Sequence, residues 1–179
     1  MHISSLPGKT GIGTFGKEAY RFIDFLKKTG QTYWQVLPLC PTSYGDSPYQ
    51  SFSTFAGNPY FIDLEQLMEL GLLEEADCEG VNFGTHPEYV DYGQMYDHRY
   101  PILRKAYENA LQKGLHQDGA YISFMAQNEH WLKDYALYMA VKASFDNVCW
   151  IEWDEDIRLR KQEAVAYYTE KYEHEIGFY

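Results

Sequence analysis

The residues Tyr33-Trp34-Gln35-Val36-Leu37 form a short apolar and aromatic run that stops at Pro38 and opens into a long loop dense in Ser, Tyr, Pro and Gly. A run so short, bounded by a proline, predicts a buried strand rather than a helix. Ahead of it, Ala19, Phe22, Ile23 and Leu26 fall at i, i+3, i+4 and i+7. That spacing predicts a helix over Lys17 to Thr29 with one apolar face, and Gly30 follows as its stop signal. His2 to Leu6 reads as a further strand, ended by Pro7-Gly8. Strand, helix, strand is a βαβ unit, which implies a parallel pair with a right-handed crossover. Two parallel strands expose an edge on each side and make no stable layer. The remaining strands must therefore come from elsewhere.

The rest of the chain supplies no third strand. Leu64 to Leu70 predicts a short helix ended by Gly71, and Asp97 to Lys113 a longer one with Leu103, Ala106, Tyr107, Ala110 and Leu111 on one side. Two more helices are expected over about 120–145 and about 156–176. Leu132, Tyr135, Ala136, Met139 and Ala143 stripe the first, and Val165, Tyr168 and Tyr172 the second. The expected class is α/β: residues 1–63 as the first strand-helix-strand of a barrel with its loop, and residues 64–179 as a mostly helical insertion. A complete (β/α)8 barrel needs about 250 residues, and at least about 200; the chain has 179. It also begins inside the first expected strand, so Met1 reads as an internal methionine of a longer frame.

The net charge of −11 disfavours nucleic acid and anionic membranes, both of which ask for a basic face. A neutral polymer such as a glucan is compatible with it. Cys40, Cys78 and Cys149 are far apart and odd in number, which suits free thiols in a reducing cytoplasm better than a disulfide framework. Residues 1 to 15 have neither the basic nor the apolar region of a signal peptide. The histidines, His86 and His98 among them, form no metal-ligand pattern, and no cofactor is expected.

Gly11-Ile12-Gly13-Thr14-Phe15-Gly16 matches G-x-G-x-x-G ahead of a helix. A dinucleotide loop should follow its strand at once, and its second strand should end in an acidic residue. Here Pro7 to Thr10 intervene and the strand ends Val36-Leu37-Pro38, so a tight turn is the better reading. Asp46, Ser47, Tyr49 and Gln50 sit together in the long loop. Hydroxyl, amide and carboxylate groups can bond sugar hydroxyls, and a ring can stack on a sugar's apolar face. The same residues also read as a plain turn over Gly45-Asp46-Ser47-Pro48. Glu152, Asp154, Glu155 and Asp156 cluster where a helix should start, which the helix dipole favours. Asp24 reads as solvated and Asp63 as a helix cap. Trp150 and Trp153 read as packing anchors. No pair of acids stands out as nucleophile and proton donor.

Several ordered blocks resemble the 4-α-glucanotransferases (amylomaltase or disproportionating enzyme, glycoside hydrolase family seventy-seven). They are His2-Ile3-Ser4-Ser5-Leu6-Pro7, Gly11-Ile12-Gly13, Trp34 to Leu39, Ser47-Pro48-Tyr49-Gln50 and Phe55 to Pro59. The resemblance implies a (β/α)8 barrel and retaining transfer of α-1,4-glucan segments among maltooligosaccharides, amylose, or starch- and glycogen-derived glucans. It implies that Tyr49 is a ring near the cleavage point, Ser47 a nearby sugar contact, Asp46 a further member of that site, and Tyr44 an aromatic of a secondary glucan site. It also places the catalytic carboxylates on later barrel strands, beyond Tyr179. The alternative is a non-catalytic glucan-binding or interaction module that keeps only the loop.

Overall fold

The computed structural model describes residues 1–43, 45–86 and 88–179. The chain divides into two compact units, Met1–Leu115 and His116–Tyr179. No helix among the described residues is long and apolar enough to cross a membrane.

The first unit carries three α-helices: α1 (Lys17–Lys28), α2 (Leu64–Glu69) and α3 (Tyr92–Gln112). Short 3-10 turns at Ile3–Ser5, Pro59–Phe61 and Glu75–Asp77 connect them. α1 forms as the periodicity predicts, with Glu18 in its first turn and Lys27 and Lys28 in its last, each matching the sign of the helix dipole. Only Ala19 of its apolar stripe is fully buried; Phe22 packs edge-on against Trp34 at 4.8 Å, while Ile23 stays 48% exposed. α2 begins at Asp63, whose Oδ1 accepts the Gln66 N–H at 2.8 Å, as expected of a cap. α3 begins earlier than the expected Asp97, because Asp91 Oδ1 accepts the Gln94 N–H at 3.1 Å and starts the helix there. The core gathers Ile3, Leu6, Ile12, Phe61, Leu64, Leu73, Met95, Ile102, Leu103 and Ala106, all buried.

Neither expected strand forms among the described residues. Ile3–Ser5 is a 3-10 turn, and Tyr33 to Leu37 has no regular hydrogen bonding. A strand exists only through a ladder to a neighbour. Here the Leu37 N–H donates to His2 Nδ1 at 3.2 Å, and Trp34 Nε1–H to the Met1 carbonyl at 2.7 Å. The two segments thus lie side by side through side-chain bonds, without a ladder. The run is not buried either: Tyr33 is 91% exposed and Leu37 39%.

The second unit holds α4 (Gly119–Gln127), α5 (Glu129–Ser144), α6 (Glu155–Arg158), α7 (Gln162–Lys171) and α8 (Glu173–Phe178). The single helix expected over 120–145 is broken at Asn128. Its side chain donates to the Phe124 carbonyl at 2.8 Å, beside its own N–H at 3.1 Å, and accepts from Trp131 Nε1 at 3.0 Å. The helix expected over 156–176 is divided as well, with Tyr172 leaving helical geometry between α7 and α8. Leu137, Val141, Trp153 and Ile157 make the core, with Tyr138, Phe145, Val165, Tyr168 and Ile176 against it. Trp153 is therefore a packing anchor as expected, whereas Trp150 is 48% exposed. Apolar α4 buries none of its residues.

Candidate functional site

The long loop between Leu39 and Asn58 is closed at its base by the Asn58 N–H, which donates to the Leu39 carbonyl at 2.8 Å. Its hydroxyls hold its shape from within. Ser53 Oγ accepts from the Phe55 and Ala56 N–H groups at 3.3 and 3.1 Å, and Ser51 Oγ–H donates to the Ser53 carbonyl at 2.7 Å. This explains the serine density in physical terms: the loop supplies its own backbone partners.

At the tip, Ser47 to Gln50 is a turn closed by an i to i+3 bond, with Pro48 at its second position, and the Asp46 N–H donates to the Ser43 carbonyl at 3.0 Å; Gly45 to Pro48 has no such bond, since proline has no N–H to donate. The Gln50 N–H donates to the Ser47 carbonyl at 3.1 Å, and the Tyr49 N–H donates to Ser47 Oγ at 3.3 Å. Tyr49 is 73% exposed and offers its ring to solvent. Asp46 adopts φ 56°, a left-handed conformation that Asp tolerates better than most side chains. Tyr44 lies outside the described residues.

Below the tip the structure assembles groups the sequence did not. Asp46 is half-buried, and burial pushes its carboxyl above the ordinary carboxylate range. Tyr60 is pushed up to about 12, first by burial and next by the Asp46 charge. Tyr92 is also raised by burial and then by Asp46, against a lowering bond with Ser4. The rings of Tyr60 and Tyr92 lie 6.3 Å apart, and Tyr60 meets Tyr100 edge-on at 6.0 Å. Tyr60 and the first residue of α3, Tyr92, thus form an aromatic, hydroxyl-bearing floor within electrostatic reach of Asp46. Ser4, Tyr60 and Tyr92 come from three distant segments, so no local spacing could have marked them.

The glycine motif has a packing role. A Cβ on Gly13 would lie 2.0 Å from the Ile3 carbonyl oxygen, and one on Gly16 would lie 1.9 Å from Asp63 Oδ2. The start of α1, where a phosphate would seek the helix dipole, thus faces a carboxylate. The acids at 152–156 also stay structural: Asp154 precedes α6, Asp156 pairs with Lys161 at 2.5 Å, and Tyr168 donates to Asp154 Oδ2 at 3.3 Å. Asp154, Glu155 and Asp156 line, with Glu163 and Tyr167, a shallow cleft of about 500 Å³ in the second unit. Asp24 is exposed. Among the described residues, no three His, Cys, Asp or Glu side chains are grouped to hold a metal ion.

A family model described as 4-alpha-glucanotransferase matches residues 1–179. The chain is 51% identical over its whole length to a 4-alpha-glucanotransferase of Clostridium butyricum, of which it covers 36%. It is 42% identical to a 4-alpha-glucanotransferase of Thermus thermophilus, covering 35% of that protein. The fold matches an amylomaltase from Streptococcus agalactiae in complex with acarbose, with a TM-score of 0.89 and 44% identity, over 99% of this chain and 36% of that one. The chain spans about a third of the length of these relatives.

Proposed function

The chain belongs to the 4-alpha-glucanotransferase family, and from that membership we propose that it provides part of the glucan-binding surface of an α-1,4-glucan transferase. The carrying observation is the loop tip, where Asp46, Ser47 and Tyr49 fall within four residues and Asp46 is in electrostatic reach of Tyr60 and Tyr92. The exposed Tyr49 ring offers an apolar face to a glucose unit. Ser47 donates its hydroxyl proton, and the Asp46 carboxylate accepts from sugar hydroxyls. Tyr44 is assigned to a secondary glucan site on resemblance alone.

In the complete reaction, a carboxylate attacks the anomeric carbon while a carboxylic acid protonates the departing sugar oxygen. The acid's conjugate base then deprotonates an acceptor sugar, which displaces the enzyme with overall retention. Two carboxyl groups about 5 Å apart carry that chemistry, whereas the loop bears one, Asp46. The loop's role is accordingly to hold the glucan, and the bond-making acids belong to other parts of the barrel. His2 to Leu6 and Tyr33 to Leu37 are proposed as the sites of its first two strands, with residues 64–179 as the helical insertion. Their side-by-side placement supports this. Maltooligosaccharides and amylose-, starch- or glycogen-derived chains are the proposed substrates, and the cytoplasm, where free thiols persist, the proposed location.

Calorimetric titration of the purified chain with acarbose and with maltoheptaose tests the reading. Tyr49→Ala should weaken binding roughly tenfold, about 1.4 kcal/mol, the loss typical of one aromatic anchor. Its melting temperature should not move, because Tyr49 packs little. Equal affinities for the two proteins would overturn the assignment.

A further inference from the structure

We propose that Arg99 is the positioning residue of this loop: its guanidinium, reaching out from α3, fixes the loop's foot and so sets the grip on a glucan. The glucan part rests on the function proposed above; the positioning part does not.

Arg99 is 0% exposed, although its neighbours on the same helix face, Met95, Ile102 and Leu103, are apolar. Its Nη2 donates to the Tyr60 carbonyl at 3.2 Å and to the Ile62 carbonyl, and its Nη1 to the Thr10 carbonyl at 3.4 Å. Its Nε has no hydrogen-bond partner among the described residues. Burying a cation against neutral carbonyls is expensive, and an apolar side chain of similar size usually stabilises a core as well or better. A methionine, however, cannot bind three carbonyls from two segments, Thr10 and Tyr60 to Ile62, at once. The forked guanidinium can.

Those segments are the ones that carry the loop. The Asn58 N–H closes it onto Leu39, and the Asn58 side chain accepts from the Tyr60 N–H at 3.0 Å. The Phe61 N–H returns to the Asn58 carbonyl at 3.0 Å. Arg99 then grips the carbonyls of Tyr60 and Ile62, directly after that closing bond. Two turns earlier on α3, Tyr92 lies within electrostatic reach of Asp46 at the tip. A single helix thus holds the loop at its foot and senses the charge of its carboxylate. Thr10 ties the glycine turn to the same point.

Hydrogen exchange of individual amides in the purified chain tests this, comparing wild type with Arg99→Met, Arg99→Lys and, as a control, Ile102→Ala. Ile102 is a buried core residue of the same helix, so its truncation should raise exchange throughout the first unit. Arg99→Met should instead accelerate the Asp46, Gln50, Asn58 and Phe61 amides tenfold or more while α3 and the second unit change little. Acarbose affinity should fall alongside, and Arg99→Lys, which keeps the charge and some donors, should recover part of both. If Arg99→Met does not fold, Arg99→Lys against wild type decides on the same amides. An Arg99 pattern indistinguishable from that of Ile102→Ala, or unchanged loop exchange, would overturn the proposal. Failure of the wild type to bind acarbose would instead sink the proposed function and leave the exchange result standing.

Discussion

Replacing Gly16 by alanine should damage the first unit far more than an exposed Gly-to-Ala change does elsewhere. The new Cβ would sit 1.9 Å from Asp63 Oδ2 and 2.4 Å from its Cγ, so the carboxylate must leave. That carboxylate is fully engaged: Oδ2 accepts from the Thr14 hydroxyl at 2.5 Å, and Oδ1 caps α2 through the Gln66 N–H at 2.8 Å. Losing the cap costs about 1 kcal/mol. Losing a hydrogen bond to a charged group costs about 1.5–3 kcal/mol. The sum, roughly 2–4 kcal/mol, corresponds to a fall of roughly 10 °C in melting temperature for a unit of this size. Thermal unfolding followed by circular dichroism measures it. Asp63→Ala removes the same two bonds and the obstacle together, so adding Gly16→Ala to it should cost little more. The cycle should therefore show a coupling of about 2 kcal/mol. Strict additivity of the two changes would refute the claim that Gly16 is glycine because Asp63 occupies its space.

Asp46→Asn should keep the left-handed turn, since Asn tolerates that backbone, while Asp46→Ala should strain it; the first should weaken acarbose binding without lowering the melting temperature, and a calorimetric titration beside a melt checks both. Alkaline titration of tyrosinate absorbance should show a late group near 12, since burial holds Tyr60 and Tyr135 at about 12 against an ordinary 10.0. The sign follows from proton binding: between those values the folded chain keeps protons that the unfolded chain has released. Stability is thus full below about pH 10 and lost as pH rises towards about 12; a flat denaturant midpoint across that window would contradict the burial. Incubated with maltotriose, the 179-residue chain should release no glucose above background; turnover by protein of verified mass would require a carboxylate pair within it and redirect attention to Asp46, Asp63 and the acids at 152–156.

Helices were legible where a strong local signal existed. The stripe of α1 and the Asp63 cap of α2 both act over one or two turns, and sequence spacing reports such contacts directly. The start of α3 was misplaced because Gly93 reads as a breaker, whereas Asp91 had already satisfied the first free N–H groups. The break at Asn128 was missed because apolar periodicity continues through it, and the only mark of it is the departure of Asn128 from helical dihedrals, at φ −108° and ψ 10°. The strands failed differently. Tyr33 to Leu37 has strand composition, but a ladder is a property of two segments and composition belongs to one. That Asp46, Ser47 and Tyr49 share the loop tip was legible because they fall within four consecutive positions. Its floor was not, since Ser4, Tyr60 and Tyr92 meet only after folding.

The closure of the loop by one backbone bond, Asn58 N–H to Leu39 carbonyl at 2.8 Å, makes the intervening segment a cassette. What the scaffold holds is the distance between two ends; the number of residues strung between them is free to vary. Doubling a flexible loop's length adds only about 0.6 kcal/mol of closure entropy. Lengthening or exchanging the tip should therefore retune which oligosaccharides are accommodated while the helices beneath are left as they are. Grafting loops from chains of different preference onto Leu39 and Asn58 is a route to altered selectivity that asks nothing of the core.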